Sequence, residues 1–188
     1  SFQEYFAARV LCEEGTVLSG VPPWQWPAWW ANTLRIGGEM GAAFGRGLLR
    51  AAGVEGDTLD LSHGKMGGHL PTASCAVGEM MANATWTKVD LSSTEIKDEG
   101  AIALTKGLKS NTSLKELELR ECGIGPAGAK AIGEALQSGT AVLSTLSLES
   151  NEINDEGAIA LAEGLKSNTS LKELVLGHWI YGGCGIGP

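Results

Sequence analysis

The sequence predicts an α/β solenoid of stacked strand-helix units, and two observations carry that prediction. The first is self-similarity. Asp98 to Leu119 reads DEGAIALTKGLKSNTSLKELEL and Asp155 to Leu176 reads DEGAIALAEGLKSNTSLKELVL, so the two stretches differ at 3 of 22 positions. They start 57 residues apart (155 − 98), one step of 28 and one of 29, with a third copy between them. A fixed period of this size marks an architecture in which each unit buries its apolar face against the next. The second observation is register. Trp86-x-x-Val89-x-Leu91-x-x-Thr94-x-Ile96, Leu114-x-x-Leu117-x-Leu119-x-x-Cys122-x-Ile124 and Leu143-x-x-Leu146-x-Leu148-x-x-Asn151-x-Ile153 superimpose without a gap.

Each unit divides into two elements. The Leu-x-x-Leu-x-Leu segment alternates apolar and polar residues with period two, as a short strand with one buried face requires. Strands are expected at 59–62, 88–92, 116–120, 145–149 and 173–177. Downstream, Gly100 to Leu108 spaces its apolar residues for one face of a helix, and helices are expected at 72–83, 98–109, 126–137 and 155–166. Asp98 and Glu99, like Asp155 and Glu156, stand at helix starts, where carboxylates accept free amide hydrogens and oppose the dipole. Pro126 suits the first turn of its helix. Thr94, Cys122 and Asn151 share the position just after the strand, where the chain turns and strands backbone groups. A buried hydrogen-bonding side chain is wanted there, so these three form a structural turn ladder.

The ends are less regular. Leu59-Asp60-Leu61 matches the strand portion of a first, degenerate unit beginning near Val54, with Gly64 where Thr94 would fall. Gly38 to Leu49 resembles the helical half of a unit, so residues 1–53 read as a helical N-terminal cap and 54–188 as the array. Leu171-x-x-Leu174-x-Leu176 opens a fifth unit, and CGIGP at 184–188 repeats CGIGP at 122–126 after extra residues, His178 to Gly182. The chain begins at Ser1 and stops inside a unit, as a fragment would. In the cap, Trp24, Trp26, Trp29 and Trp30 crowd together. They read as a wedge sealing the open end of the first unit. The alternative is an aromatic platform for a proline-rich or sugar-like ligand or a membrane interface.

Composition narrows the function. A net charge of −8 argues against nucleic acid or an anionic membrane as partner, since both reward a basic face. No apolar run approaches the ~18 residues of a membrane span and no signal-like leader is present, which points to a soluble cytoplasmic protein. Cys12, Cys75, Cys122 and Cys184 lack a disulfide-framework spacing and read as buried thiols in a reducing compartment. Asn83, Asn111 and Asn168 each open a glycosylation-type triplet, two of them in the same SNTS loop, so the repeat itself explains the recurrence. His63, His69 and Cys75 match no common metal-ligand spacing. No nucleophile has a triad or elbow around it. The expectation is no cofactor, no metal and no enzyme activity.

What remains is recognition. The outward strand positions, Lys88, Asp90, Glu116, Glu118, Arg120, Thr145, Ser147, Glu149, Glu173 and Val175, fall on the concave surface that solenoids use for partners. Acidic residues outnumber basic ones five to two in that set. Asp90, Glu116, Glu118, Arg120, Glu149 and Glu173 are therefore the candidate contacts for a protein partner with a basic segment. Trp179 and Tyr181 in the inserted stretch are candidate aromatic anchors.

The motif L-x-x-L-x-L-x-x-N/C-x-L is the leucine-rich repeat signature. The 28- and 29-residue units with CGIGP and NEINDEG turns resemble the ribonuclease-inhibitor type of that repeat over residues 59–188. Ser1-Phe-Gln-Glu-Tyr-Phe-Ala-Ala8 resembles the element that closes the helical region after the nucleotide-binding module of NACHT-containing, NOD-like receptor proteins. That resemblance implies an ATP-dependent switch upstream and a sensing or restraining role for the repeats. No G-x-x-x-x-G-K-[ST] is present, because Gly64-Lys65 is followed by Met66, so ATP binding carries over to no residue here. Ran GTPase-activating proteins use repeats of the same length and type, and a regulator of a small GTPase is the alternative.

Overall fold

A computed structural model describes residues 2–13, 21–67, 69–138 and 142–177. Within them five parallel strands lie side by side in chain order: β1 (Thr58–Asp60), β2 (Lys88–Asp90), β3 (Glu116–Glu118), β4 (Thr145–Ser147) and β5 (Glu173–Val175). Leu59, Val89, Leu117, Leu146 and Leu174 are in register across the sheet. Among the described residues seven α-helices accompany them, α1 (Phe2–Glu13), α2 (Ala31–Glu39), α3 (Ala42–Ala52), α4 (Leu70–Met81), α5 (Lys97–Ser110), α6 (Pro126–Gln137) and α7 (Asp155–Leu165). The last four alternate with the strands and form the convex layer. The expected α/β solenoid with a helical cap is the observed one.

The core is the slab between sheet and helices. Val89, Leu91, Leu117, Leu119, Leu146 and Leu148 are fully buried from the strand side, and Leu104, Leu108, Ile132, Leu136 and Leu161 meet them from the helices. Each such side chain contributes about 1.5–3 kcal/mol of apolar burial. Successive helices approach so closely that only glycine fits at the contact: a Cβ on Gly133 would lie 2.6 Å from the carbonyl oxygen of Ala160.

The strands are shorter than expected, three residues each. Just after the strand each of the first four units has a non-glycine residue in the left-handed region, His63 (φ 52°), Ser93 (58°), Glu121 (52°) and Ser150 (56°), and the chain turns out of the sheet there. Arg120 and Glu149, placed by the sequence on strands, therefore lie in these turns. Inter-unit bonding nonetheless continues past the strands, with the Leu91 amide donating to Glu118 O at 2.9 Å and the Ser93 amide to Arg120 O at 2.8 Å.

Helix starts differ from expectation in one instructive way. Asp98 does not cap its own helix. Its Oδ1 accepts from the amides of Gly125 and Gly128, both at 2.8 Å, and so caps α6 in the next unit. For α7 the cap is Asn154, which accepts from the Gly157 amide at 3.1 Å.

In the cap, the expected helical stretch Gly38 to Leu49 is broken at Met40–Gly41 into the end of α2 and the start of α3, with Gly41 at φ 70°. Trp24, Trp26 and Trp30 are buried where two 3-10 turns, Pro23–Gln25 and Ala28–Trp30, pack against α3 and α4. The wedge reading accounts for these three, while Trp29 stays 65% exposed. Lys106 on α5 joins cap to array, donating to Gly38 O at 3.1 Å and to Glu79 Oε1 at 2.6 Å. No helix among the described residues is long and apolar enough to cross a membrane.

Candidate interaction surface

Parallel register converts the sequence list into rows. One row across the sheet is Thr58, Lys88, Glu116, Thr145 and Glu173; the next is Asp60, Asp90, Glu118, Ser147 and Val175. Adjacent strands lie about 4.8 Å apart, so Asp60, Asp90 and Glu118 form a line of neighbouring carboxylates. The charge is concentrated over β1 to β3, and the second row turns neutral at Ser147 and Val175.

Most of the expected acids are already paired. Lys88 Nζ reaches Glu116 Oε2 at 3.0 Å and Glu118 Oε1 at 3.7 Å. Arg120 Nε reaches Glu149 Oε2 at 2.9 Å. The Glu116 hydrogen bond, the leading cause, and the neighbouring carboxylates hold the Lys88 ammonium above its ordinary pKa. Asp90 and Glu173 have no ion-pair partner among the described residues. The concave face thus keeps fewer uncommitted charges than a count of side chains suggests. Ser147 is only 5% exposed and lies within the face rather than projecting from it.

Two features escaped the sequence reading. Asp60 on β1 accepts from the Ser62 amide (3.0 Å), the Ser62 hydroxyl (2.7 Å) and Lys65 Nζ. The Lys65 contact, then the Ser62 bonds, hold its carboxyl well below the usual carboxylate range. The second is a cleft of about 200 Å³ lined by His63, Asp90, Ser92, Ser93, Arg120 and Glu121. The available signal was the triplet Asp-Leu-Ser, which occurs at 60–62 and again at 90–92.

Beneath the face run two buried polar edges. At the carboxyl ends of the strands, Asn151 Nδ2 donates to Leu119 O (2.7 Å) and Leu148 O (2.9 Å), and its Oδ1 accepts from the amides of Cys122 and Ile124, both at 3.0 Å. Cys122 Sγ donates to Leu91 O at 3.2 Å, and Thr94 Oγ1 donates to the same carbonyl. At the amino ends, Asn111 donates to Met81 O and Ala84 O and accepts from the amides of Ser113 and Leu114. Asn168 repeats the pattern with Leu136 O, Ser170 and Leu171. The SNTS loops therefore recur because their asparagines tie one unit to the one before it. Asn111 is 4% exposed, with its amide group committed to these bonds.

Other singled-out residues disperse. His63 stands at a left-handed turn on the concave rim, and His69 Nδ1 lies 3.0 Å from Thr72 Oγ1 at the start of α4. The cysteines do not share one environment: Cys122 is buried, Cys12 half-buried and Cys75 exposed, which corrects the expectation of uniform burial. Burial pushes the Cys122 thiol up. Trp179, Tyr181, the rest of 178–182 and Cys184 lie outside the described residues.

Residues 82–104, 110–133 and 141–162 match the family model described as Leucine Rich repeat. These units are leucine-rich repeats. The chain is similar to the ribonuclease inhibitor of Sus scrofa, 36% identical over 132 residues, which are 68% of this chain and 28% of that protein. It is 30% identical over 128 residues to Ran GTPase-activating protein 1 of Xenopus laevis, covering 61% of this chain and 22% of the relative. To NACHT, LRR and PYD domains-containing protein 5 of Bos taurus it is 28% identical over 109 residues, 57% of this chain and 9% of the relative. The chain thus spans less than a third of the length of each of these relatives.

Proposed function

We propose that this chain is a protein-interaction module, the sensing or autoinhibitory repeat region of a NOD-like, NACHT-type protein, and that it binds through its concave face without catalysing a reaction. One observation carries the reading: the leucine-rich repeats hold their outward strand side chains in register on a five-stranded parallel sheet. Asp90, Glu116, Glu118, Arg120, Glu149 and Glu173 are the proposed contacts, and the partner's matching segment is basic. Opposite potentials speed encounter and penalise acidic competitors. A cytoplasmic setting belongs to the proposal, supported by the hydrogen-bonded thiol of Cys122 within the core.

The NACHT assignment draws on the Phe2 to Ala8 element and on the similarity to a NACHT, LRR and PYD domains-containing protein. The similarity to a Ran GTPase-activating protein keeps a second reading, regulation of a small GTPase. A Walker motif encoded upstream in the same transcript separates the two. For the surface itself, a photo-crosslinking residue placed at Thr145 on the concave side or at Ile102 on the convex side, in the protein expressed in cells, is the test. Partner adducts at position 145 and none at 102 are expected. Adducts at 102 alone would overturn the concave assignment.

A further inference from the structure

Unit one is closed in its interior and open along its strand. Leu59, Leu61 and Met66 are at most 4% exposed, and the 3-10 turn Pro23–Gln25, α2 and α3 pack on α4 at the helix side. The strand itself has a partner on one side only: β1 is the terminal strand of the sheet and pairs with β2. The register shows which way its backbone groups point. In β2 the Lys88 amide donates to Asp57 O at 3.2 Å and Asp90 O accepts from the Leu61 amide at 2.8 Å, so residues 88 and 90 turn their peptide groups toward the preceding strand. In β3 the Glu116 amide donates to Thr87 O at 3.0 Å and Glu118 O accepts from the Leu91 amide at 2.9 Å, the same arrangement. Thr58 and Asp60 hold the matching positions of β1. Their amides and carbonyls therefore point to where a preceding strand would lie, without a hydrogen-bond partner there among the described residues. Both residues are exposed.

The geometry points to this edge as the docking site for an extended, lysine- or arginine-bearing segment of a protein partner, which adds to the sheet beside β1. An exposed edge supplies main-chain hydrogen bonds for affinity, and the side chains along it select the sequence. Three residues suffice, because every strand pair within this sheet is three residues long. Charge chooses the occupant. Glu55 and Asp57 lead into β1 and Asp60 ends it; all three are exposed, and the nearby cation Lys65 is already paired with Asp60. A second copy of this chain would set the same carboxylates against themselves, and like charges placed opposite each other destabilise a strand pair. A basic segment has the complementary charge. This inference goes beyond the concave-face reading and does not rest on it, since the groups it uses are main-chain groups at the rim of the sheet.

The test is an NMR titration of the 188-residue chain at low salt with the peptide acetyl-Thr-Lys-Val-Lys-Thr-amide. Two control peptides accompany it. One is the same sequence N-methylated at every residue, which keeps the charges and removes the main-chain donors; the other carries glutamate in place of lysine. The lysine peptide is expected to give saturating shifts at the Thr58 and Asp60 amides and, at saturation, about tenfold slower hydrogen exchange at both, and the controls neither. Thr58→Pro removes one edge donor while the ladder to β2 stays intact, as proline on an edge strand allows, and should weaken binding about fivefold to tenfold. Glu55→Lys leaves the backbone as it is, so it tests the site even where the proline variant fails to fold, and should weaken the lysine peptide about threefold. No saturating shift at Thr58 and Asp60, equal binding of the N-methylated peptide, or unchanged binding to Glu55→Lys would overturn the assignment. Tighter binding of the glutamate peptide would overturn the basic occupant. Shifts centred on Lys88, Glu118 and Ser147 instead would put the peptide on the concave face, which overturns the edge and leaves the concave reading standing.

Discussion

The turn ladder and the concave face are written on the same stretches of chain, two residues apart, yet they treat polar groups in opposite ways. Asn151 commits both ends of its amide to buried backbone, donating to Leu119 and Leu148 and accepting from Cys122 and Ile124. Glu149, just before it, makes an ion pair with Arg120 at the surface. Depth explains the difference. A buried polar group left unpaired loses its full hydration, whereas water replaces whatever a surface charge gives up. The repeat can therefore vary its outward residues from unit to unit while its edge residues hold the stack together.

The largest test of that division is Asn151→Ala. It strands two amides and two carbonyls in the core, at ~1–3 kcal/mol for each unsatisfied group, and a loss of about 4 kcal/mol or more is expected by chemical denaturation. Glu149→Ala should lie within about 0.5 kcal/mol of the parent. Equal midpoints for the two would break the comparison. Asn111→Ala probes the opposite edge, where a loss of similar or slightly smaller size, about 3 kcal/mol, is expected because four bonds are lost and only the Ser113 amide is part-buried. Smaller still is Asp98→Ala, which uncaps the neighbouring helix α6 for ~1 kcal/mol. Hydrogen exchange should localise that effect to Gly125 and Gly128 rather than to the start of α5, and exchange gained at α5 instead would contradict the inter-unit cap. Lys88→Met, like Glu149→Ala, should have little effect. Its pairs with Glu116 and Glu118 are surface ion pairs worth roughly 0–1 kcal/mol, and a loss above about 2 kcal/mol would mean that this face is structural.

How much of this was readable from residues alone follows the same division. Positions that repeat for a physical reason were legible: the apolar strand positions, the order of strand and helix, and α6 at Pro126–Gln137. What the periodicity could not convey was which unit a side chain serves. Asp98 looks like a cap for its own helix because sequence neighbours are visible and spatial neighbours are not, yet its amide partners are 27 and 30 residues away. Asn111 looked like part of a loop motif because its bonds to Met81 and Ala84 also cross between units. On the concave face the residue types were evident, but the ion pairs that neutralise Glu116, Glu118 and Glu149 needed coordinates. The contrast between Asp60 and Asp90 arises from one lysine, Lys65, reaching back across a turn, and no period encodes it.

The most direct measurement of the central claim is the salt dependence of partner affinity, using the partner identified by crosslinking at position 145. Exposed charges are screened within a Debye length of about 8 Å at physiological ionic strength. If recognition rests on the acidic concave face, affinity falls steeply between low and high salt, and the Asp90→Asn/Glu116→Gln/Glu118→Gln variant binds weakly with a much shallower slope. An affinity that ignores salt and is retained by that variant would contradict the account and assign recognition to an apolar surface elsewhere on the molecule.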